Sequence, residues 1–361
     1  MKTRLSVLCV VFGSLLGFTA FGHLNGPAFA ENAPCQTKTT RARDLTPEQA
    51  ASLETKLEQD PHDLASRTRL LRYYFGSYRF QDRSVREEMR AARTRHILWL
   101  VRNRPEAEAL GSPEGTIDRH SDPEGYAEGK NAWLDRLERE PANLKVVEHA
   151  VRFFTITDSD LAIELLQQGQ LLDEGNAKWP RELGHRYSLE IIGEDSPAKV
   201  TELAEKAVVQ YERAYELSDG PWRTGLVKDL ARMAITANQY EKAKEYAQTL
   251  LAHDSTDWNS RDHLHHGHLV LGRTALAEGD IEEAKRRLIA AGEATRTSEP
   301  NAVEPNMFLA RELLQRGEKK VVLEYFSLCS DSWEGGRDKL EKWSVLVQAG
   351  LEPDFGGNLS F

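Results

Sequence analysis

Four histidines lie within six positions of one another in the segment Asp262-His263-Leu264-His265-His266-Gly267-His268. On a helix, His265 and His268 would share a face, with Asp262 one turn earlier. Neutral imidazoles at this spacing can bind zinc or copper. The segment also opens an amphipathic helix, in which the histidines would face solvent or pack against Trp258. Because no cysteine or second histidine pair completes a ligand set, this structural interpretation is favoured, and a metal site at His265 and His268 is the alternative.

A second motif with catalytic potential is Ser196-Pro197-Ala198-Lys199, which has the Ser-x-x-Lys spacing of penicillin-recognising enzymes. Those enzymes hold the serine beside an antiparallel sheet, whereas no alternating apolar run here predicts strands. Ser196 followed by Pro197 is typical of a helix start. The zinc-protease, nucleophile-elbow, phosphate-loop, Cys-x-x-Cys and calcium-loop motifs do not occur in the sequence. The sequence therefore predicts a protein that is not an enzyme and needs no cofactor.

Positive charge is concentrated in residues 61–104, which contain eleven arginines, four acidic residues and no lysine. The chain as a whole has a formal charge of −10. Arg86, Arg90 and Arg93 lie at helical spacing, and a cluster of guanidinium groups suits an acidic protein, a lipid headgroup or another polyanion. The alternative is a solvated face whose arginines pair with neighbouring acidic helices. The acidic remainder of the chain argues against nonspecific binding of nucleic acid.

The helices that must position these residues are indicated by a repeated frame of small and apolar residues. In its clearest copy, two helices meet at a Gly279-Asp280 turn and cross where Gly272 faces Ala284. Weaker copies of the frame include Ala150, Leu183, Leu230 and Leu309, and in the last two copies Asn238 and Gly317 take the position of Gly279. Such hairpins bury their apolar faces only by stacking on neighbours, so the frame predicts an all-α helical-hairpin solenoid. The repeat-packing residues of the clearest copy are Gly272, Ala275, Gly279, Ala284, Leu288 and Ala291.

This frame resembles the tetratricopeptide-repeat (TPR) superfamily, whose standard repeat has 34 residues. Corresponding positions here are 36 to 45 residues apart, which predicts irregular repeats that contain insertions. The whole chain, including the segments 122–127 and 353–356, is similar to uncharacterised secreted bacterial TPR-containing proteins. The resemblance implies a protein or peptide partner on the concave face and implies no enzymatic activity.

The first thirty residues have the pattern of a secretory signal peptide. Lys2 and Arg4 precede an apolar run over 5–21, and Ala28-Phe29-Ala30 is a cleavage pattern. We expect cleavage after Ala30 and a periplasmic or secreted protein. The alternative is a membrane anchor, for which a run of this length is at the short limit. No later segment is apolar enough to span a bilayer, so the mature chain is expected to have no integral membrane segment.

Two cysteines, Cys35 and Cys329, remain after removal of the signal peptide with its Cys9. An oxidising compartment would permit a disulfide between them. Cys329, however, occupies an apolar position of the repeat frame, where a free thiol behaves as a small hydrophobic side chain. The absence of a bond is therefore the favoured interpretation.

The predicted organisation has seven parts, and Pro and Gly mark the two linkers. They are a signal peptide (1–30), a flexible arm (31–44), Arg-rich helical hairpins (45–104), a linker loop (105–122), a TPR-like repeat domain (123–291), a second linker (292–306), and a C-terminal helical unit with a tail (307–361). We expect a noncatalytic scaffold or adaptor that binds a protein or peptide. A metal-binding envelope protein and an envelope enzyme of unknown type are the alternatives.

Overall fold

The computed structural model describes residues 45–77, 82–252, 259–295 and 303–359, and these residues form helices and 3-10 turns without strands. The predicted signal peptide and arm, together with Cys35 and Trp258, lie outside the described residues. The α-helices of the described part are α1 (Pro47–Gln59), α2 (Leu64–Ser77), α3 (Arg83–Asn103), α4 (Pro123–Arg139), α5 (Leu144–Phe154), α6 (Ser159–Leu172), α7 (Lys178–Glu190), α8 (Pro197–Glu216), α9 (Gly220–Thr236), α10 (Tyr240–Ala252), α11 (Asn259–Glu278), α12 (Ile281–Thr295), α13 (Phe308–Leu314), α14 (Lys319–Ser330) and α15 (Arg337–Gln348).

Several helices begin directly after a residue whose side chain caps the first turn. The Thr46 hydroxyl accepts from the backbone N–H of Gln49 (3.3 Å), and the Gln49 side chain accepts from the N–H of Thr46 (2.9 Å). This reciprocal pair satisfies two N–H groups that the first turn leaves without helical partners. Ser196 likewise accepts from the N–H of Lys199, whose ammonium group pairs with Glu202. Ser196 and Lys199 therefore form a helix start, as the structural interpretation predicted.

Three hairpin turns share one backbone conformation, which confirms the register of the repeat frame. Asn238, Gly279 and Gly317 all have positive φ angles, of 57°, 86° and 87°. The next residue in each turn donates its N–H to a carbonyl five positions earlier, as Asp280 does to Ala275 at 2.8 Å. This closure is the Schellman motif, which favours Gly or Asn at the left-handed position.

Successive helices pack on one another in chain order, which is the arrangement of a helical-hairpin solenoid. Contacts also join the first helices of neighbouring hairpins (α9 with α11, and α11 with α13) and the second helices α12 and α14. Gly272 permits this close approach, since a Cβ atom there would lie 2.3 Å from Cδ2 of Leu309 and 3.5 Å from the carbonyl oxygen of Ala284. The predicted all-α, TPR-like fold is confirmed.

The core consists of three clusters of unequal size. The largest extends from Leu71 to Leu271, and the second from Leu269 to Phe355, so α11 contributes to both. A small third cluster lies among α1, α2 and α3. None of the described helices is both long and apolar enough to cross a membrane.

The segment 105–122, expected as a linker loop, is instead packed into the compact unit that contains residues 45–361. It forms two 3-10 turns, and Ala109, Leu110 and Ile117 are buried in the largest cluster. These three apolar residues pack into the core although the segment is rich in Gly and Pro.

The second predicted linker, 292–306, also begins later than expected. Helix α12 continues through Gly292 to Thr295, and Val303 and Asn306 are buried. Residues 296–302, including Pro300, lie outside the described residues. The buried residues on either side anchor both described ends of the connection within the core.

Candidate functional site

His265 is fully buried and uses both ring nitrogens within the chain. Nδ1 donates to the carbonyl of Ala291 (2.9 Å), and Nε2 accepts from the backbone N–H of Asn306 (3.2 Å). Burial, which penalises the charged imidazolium, lowers the pKa of His265 to about 3. The neutral ring therefore ties α11 to α12 and to the segment before α13, and neither nitrogen remains for a metal ion.

The neighbouring histidines are also engaged in the chain. Nδ1 of His268 accepts from Arg287 (3.2 Å), and burial followed by the Arg287 charge lowers the pKa of His268 to about 4. His266 contacts the carbonyl and the carboxylate of Asp262, which also pairs with Lys228. Within the described part of the chain, no group of three His, Cys, Asp or Glu side chains is placed to hold a metal. The geometry gives no support to the metal hypothesis at His265 and His268.

Ion pairs join the first helices of successive hairpins. Lys178 on α7 pairs with Glu148 on α5 (2.6 Å), and Lys228 on α9 pairs with Asp262 on α11 (2.7 Å). Farther along, Arg273 on α11 pairs with Glu312 on α13 (3.0 Å). Because each pair is partly exposed, its net contribution to stability is modest. These three cations are therefore already paired with carboxylates of the same chain.

Arg93 fastens a loop to α3. Its guanidinium donates to the carbonyls of Pro113, Glu114 and Thr116 at 2.5–3.1 Å and lies over the ring of Phe75. The three carbonyl oxygens lie where the N–H groups of the guanidinium can donate to them. Of the three arginines proposed as a partner site, Arg93 is therefore committed to the fold.

Arg86 and Arg90 differ from Arg93, since neither side chain has a hydrogen-bond or ion-pair partner among the described residues. Residues 83–88, the first turns of α3, are all exposed, and Arg90 is half-buried. On α2, which packs against α3, Arg69 and Arg72 are exposed and likewise make no ion pair within the described ranges. We call Arg69, Arg72, Arg86 and Arg90 the basic surface.

Two other arginines of the same region form ion pairs, as expected for an exposed face whose arginines are paired with acidic residues. Arg83 pairs with Glu87, and Arg102 pairs with Glu128. Arg67 is buried and donates to His96 and to the carbonyl of Pro61. The arginine-rich segment is therefore divided between structural cations and the uncompensated cations of the basic surface.

Sequence reasoning missed one surface, a groove of about 740 Å³ that lies between the α6–α7 and α8–α9 connections. Its most exposed large side chain is Trp222, in the first turn of α9, with 67% of its surface accessible. The Arg181 guanidinium lies 5.1 Å from the ring centroid. Trp222 continues the stripe of Leu226 and Leu230 at a spacing of four residues, so periodicity alone predicts that it is buried. In the structure, Leu226 and Leu230 are buried and Trp222 is exposed. We call this feature the Trp222 groove.

No family model and no curated protein sequence matches this chain. Among solved structures, the chain is similar to the human IFIT1 dimer with PPP-AAAA, at a TM-score of 0.38 and 19% identity, covering 84% of this chain and 66% of that chain. The human IFIT1 dimer with m7Gppp-AAAA gives a TM-score of 0.38 and 18% identity, with 84% and 67% covered. The chain thus spans about two thirds of the length of these structures. Its fold assignment rests on the helices and turns described above.

Proposed function

We propose that this protein is an exported, noncatalytic scaffold or adaptor whose basic surface binds an acidic segment of a protein partner. The observation that carries the proposal is the uncompensated charge of Arg86 and Arg90 in a chain with a formal charge of −10. Export rests on the signal-peptide pattern of residues 1–30.

The contrast with the first helices of the later hairpins supports the proposal. Lys178, Lys228 and Arg273 each meet a carboxylate from a neighbouring hairpin. The side chains of Arg86 and Arg90 have no such carboxylate partner within the described residues, so an approaching carboxylate group meets cations that are still available for pairing. Exposed ion pairs contribute little individually, about 0–1 kcal/mol each, so a partner must present several carboxylates at once.

Helical-hairpin solenoids supply extended surfaces for such partners, because each repeat exposes side chains that its neighbours do not cover. Charge complementarity would steer the encounter and make the association rate fall as salt increases. Arginine also suits this role because its planar guanidinium can bind a carboxylate through two hydrogen bonds.

The test compares two charge-reversal variants, Arg86→Glu/Arg90→Glu and Lys320→Glu/Lys342→Glu. The second is a matched control, since Lys320 and Lys342 are exposed on other helices and their reversal alters the net charge equally. Each variant is crosslinked in the native envelope, and recovered proteins are quantified. The direct probe is a labelled glutamate-rich peptide at low and high salt.

We expect wild type and control to bind the peptide and to recover the same partner, and Arg86→Glu/Arg90→Glu to lose about tenfold or more in affinity, a difference of about 1.4 kcal/mol. Equal binding by the two reversed variants would overturn the proposal. So would recovery of a ribonuclease-sensitive nucleic acid in place of a protein.

A further inference from the structure

The Trp222 groove is an independent surface that the proposed function does not use. Its walls are the connections that precede α7 and α9, and Leu226 is buried at its base. Leu217, which also lines it, is 37% exposed. Trp and Arg are enriched among the residues that carry most of the binding energy of protein interfaces. An exposed indole over such a groove therefore points to a ligand that covers it.

The charges around the groove select the kind of ligand. Both cations in the lining are already compensated, Lys178 by Glu148 at 2.6 Å and Arg181 by Glu182 at 3.3 Å. The acidic residues of the two connections make no ion pair within the described residues. They are Asp173 and Asp219, which line the groove, and Glu174 and Glu216, which adjoin it. These four residues outnumber the nearby cations Arg213, which donates to the carbonyl of Glu174 at 3.5 Å, and Arg223, which follows Trp222, so the rim carries a net negative charge.

Arg181 gives a direct indication of what the indole accepts. Its guanidinium lies 5.1 Å from the Trp222 centroid, within the range of a cation–π contact, yet the ring remains 67% exposed. Tryptophan is the strongest of the aromatic side chains in this interaction. A second cation that reached the exposed ring would gain the same contact together with the negative potential of the rim.

We propose that the Trp222 groove binds a basic peptide segment of a protein partner. An arginine or lysine side chain of the segment lies against Trp222, and the carboxylates of Asp173 and Asp219 compensate its charge. The apolar side chain of Leu217, which lines the groove, contacts the aliphatic part of the segment. The groove is thus opposite in charge preference to the basic surface on α2 and α3, and it goes beyond the proposed function.

The test measures the binding of a labelled tetra-arginine peptide to the whole protein, with tetra-serine as the uncharged control peptide. The variants are Trp222→Ala, Trp222→Phe and Asp173→Asn/Asp219→Asn. Val345→Ala is the matched apolar control, because Val345 is 65% exposed on α15. Glu334→Gln/Glu341→Gln is the matched charge control, because both residues are exposed far from the groove in sequence.

We expect Trp222→Ala to weaken tetra-arginine binding about tenfold, within the range of a partly desolvated cation–π contact, and Trp222→Phe to restore part of it. Asp173→Asn/Asp219→Asn should weaken binding at low salt more than at high salt, and both controls should bind as wild type does. Arg86→Glu/Arg90→Glu should leave this binding intact, so failure here is distinguishable from failure of the proposed function.

Three results would overturn the inference. The first is equal tetra-arginine affinity in wild type and Trp222→Ala, which would place the peptide elsewhere on the acidic chain. The second is equal binding of tetra-serine. The third is a dimer in sedimentation that Trp222→Ala dissociates while tetra-arginine binding is unchanged, which would make a second copy of this chain the occupant.

Discussion

At the residue scale, His265 joins three parts of the C-terminal half through a neutral ring. Its Nε2 accepts a hydrogen bond from the backbone N–H of Asn306. The carbonyl of Asn306 in turn accepts from the Tyr325 hydroxyl at 2.8 Å. The rings of His265 and Tyr325 are stacked at 6.5 Å. A second proton on the His265 ring, at Nε2, would point at the backbone N–H of Asn306, which is itself a donor. Because this contact is buried, the fold requires the neutral ring.

This requirement predicts acid sensitivity. The native pKa of about 3 lies below the value of about 6.5 for an exposed histidine, so the unfolded chain binds the proton first as pH falls. The contribution of His265 to stability is fully present above pH 6.5 and is lost progressively down to pH 3. The part already lost at pH 5 is about 2 kcal/mol. His268, with its pKa of about 4, acts in the same direction.

The measurement is the free energy of unfolding in urea for wild type and His265→Gln between pH 7 and pH 5. The variant should be less stable at pH 7, since it loses shape and hydrogen bonds, but its stability should decrease less as the pH falls. The slope with pH, not the value at pH 7, separates the titration from the packing loss. Parallel curves for the two proteins would contradict the prediction.

Arg93 and Arg86 provide a second prediction at this scale. Arg93→Lys keeps the charge but cannot bridge three carbonyls, so we expect the free energy of unfolding to decrease by about 1–3 kcal/mol, as for lost hydrogen bonds to a charged group. Arg86→Lys should leave it unchanged, because Arg86 contacts no partner in the described part of the chain. Urea unfolding checks both, and a similar loss in the two variants would refute the distinction.

At the element scale, hairpin packing depends on how closely two helices can approach. Gly272 on α11 lies against Leu309 of the next hairpin, which is fully buried and cannot move into solvent. Gly225 on α9 is the opposite case, since nothing lies within 4 Å of the position of an added Cβ. The same substitution should therefore have opposite signs at the two sites.

Gly272→Ala is expected to lower the free energy of unfolding by about 1–3 kcal/mol through overpacking. Gly225→Ala is expected to raise it by up to about 1 kcal/mol, because alanine has the higher helix propensity. Urea unfolding of the two variants in parallel is the measurement. A stabilised Gly272→Ala would show that the crossing is looser than described.

At the scale of the whole molecule, the three core clusters differ in size. The cluster among α1, α2 and α3 contains only five buried residues, whereas those on either side of α11 are far larger. In repeat proteins, stability is close to a sum of local terms and nearest-neighbour interfaces. The N-terminal hairpin should therefore open at a lower free energy than the helices around α11.

Native-state hydrogen exchange checks this expectation helix by helix. Amides in α1 and α2 should exchange through an opening of lower free energy than amides in α9 to α12. Uniform protection across the described helices would mean instead that the chain opens as one cooperative unit.

The sequence by itself determined the local elements. Thr46 and Ser196 as helix caps, Asn238, Gly279 and Gly317 as turn residues, and the repeated small residues all act on neighbours within a few positions. Their structural outcome follows from backbone geometry and hydrogen bonding, which single side chains control. Hence the helical-hairpin architecture was predictable without any knowledge of long-range contacts.

The tertiary structure decided what those elements expose. Arg93 and Arg86 lie on one helix, yet only Arg93 meets carbonyls twenty or more residues away. Trp222 and Leu226 lie on one stripe, yet only Leu226 has neighbours that cover it. The segment 105–122 is packed for the same reason. Burial and charge compensation depend on which distant residues arrive at a position, and helical period and composition contain no record of them.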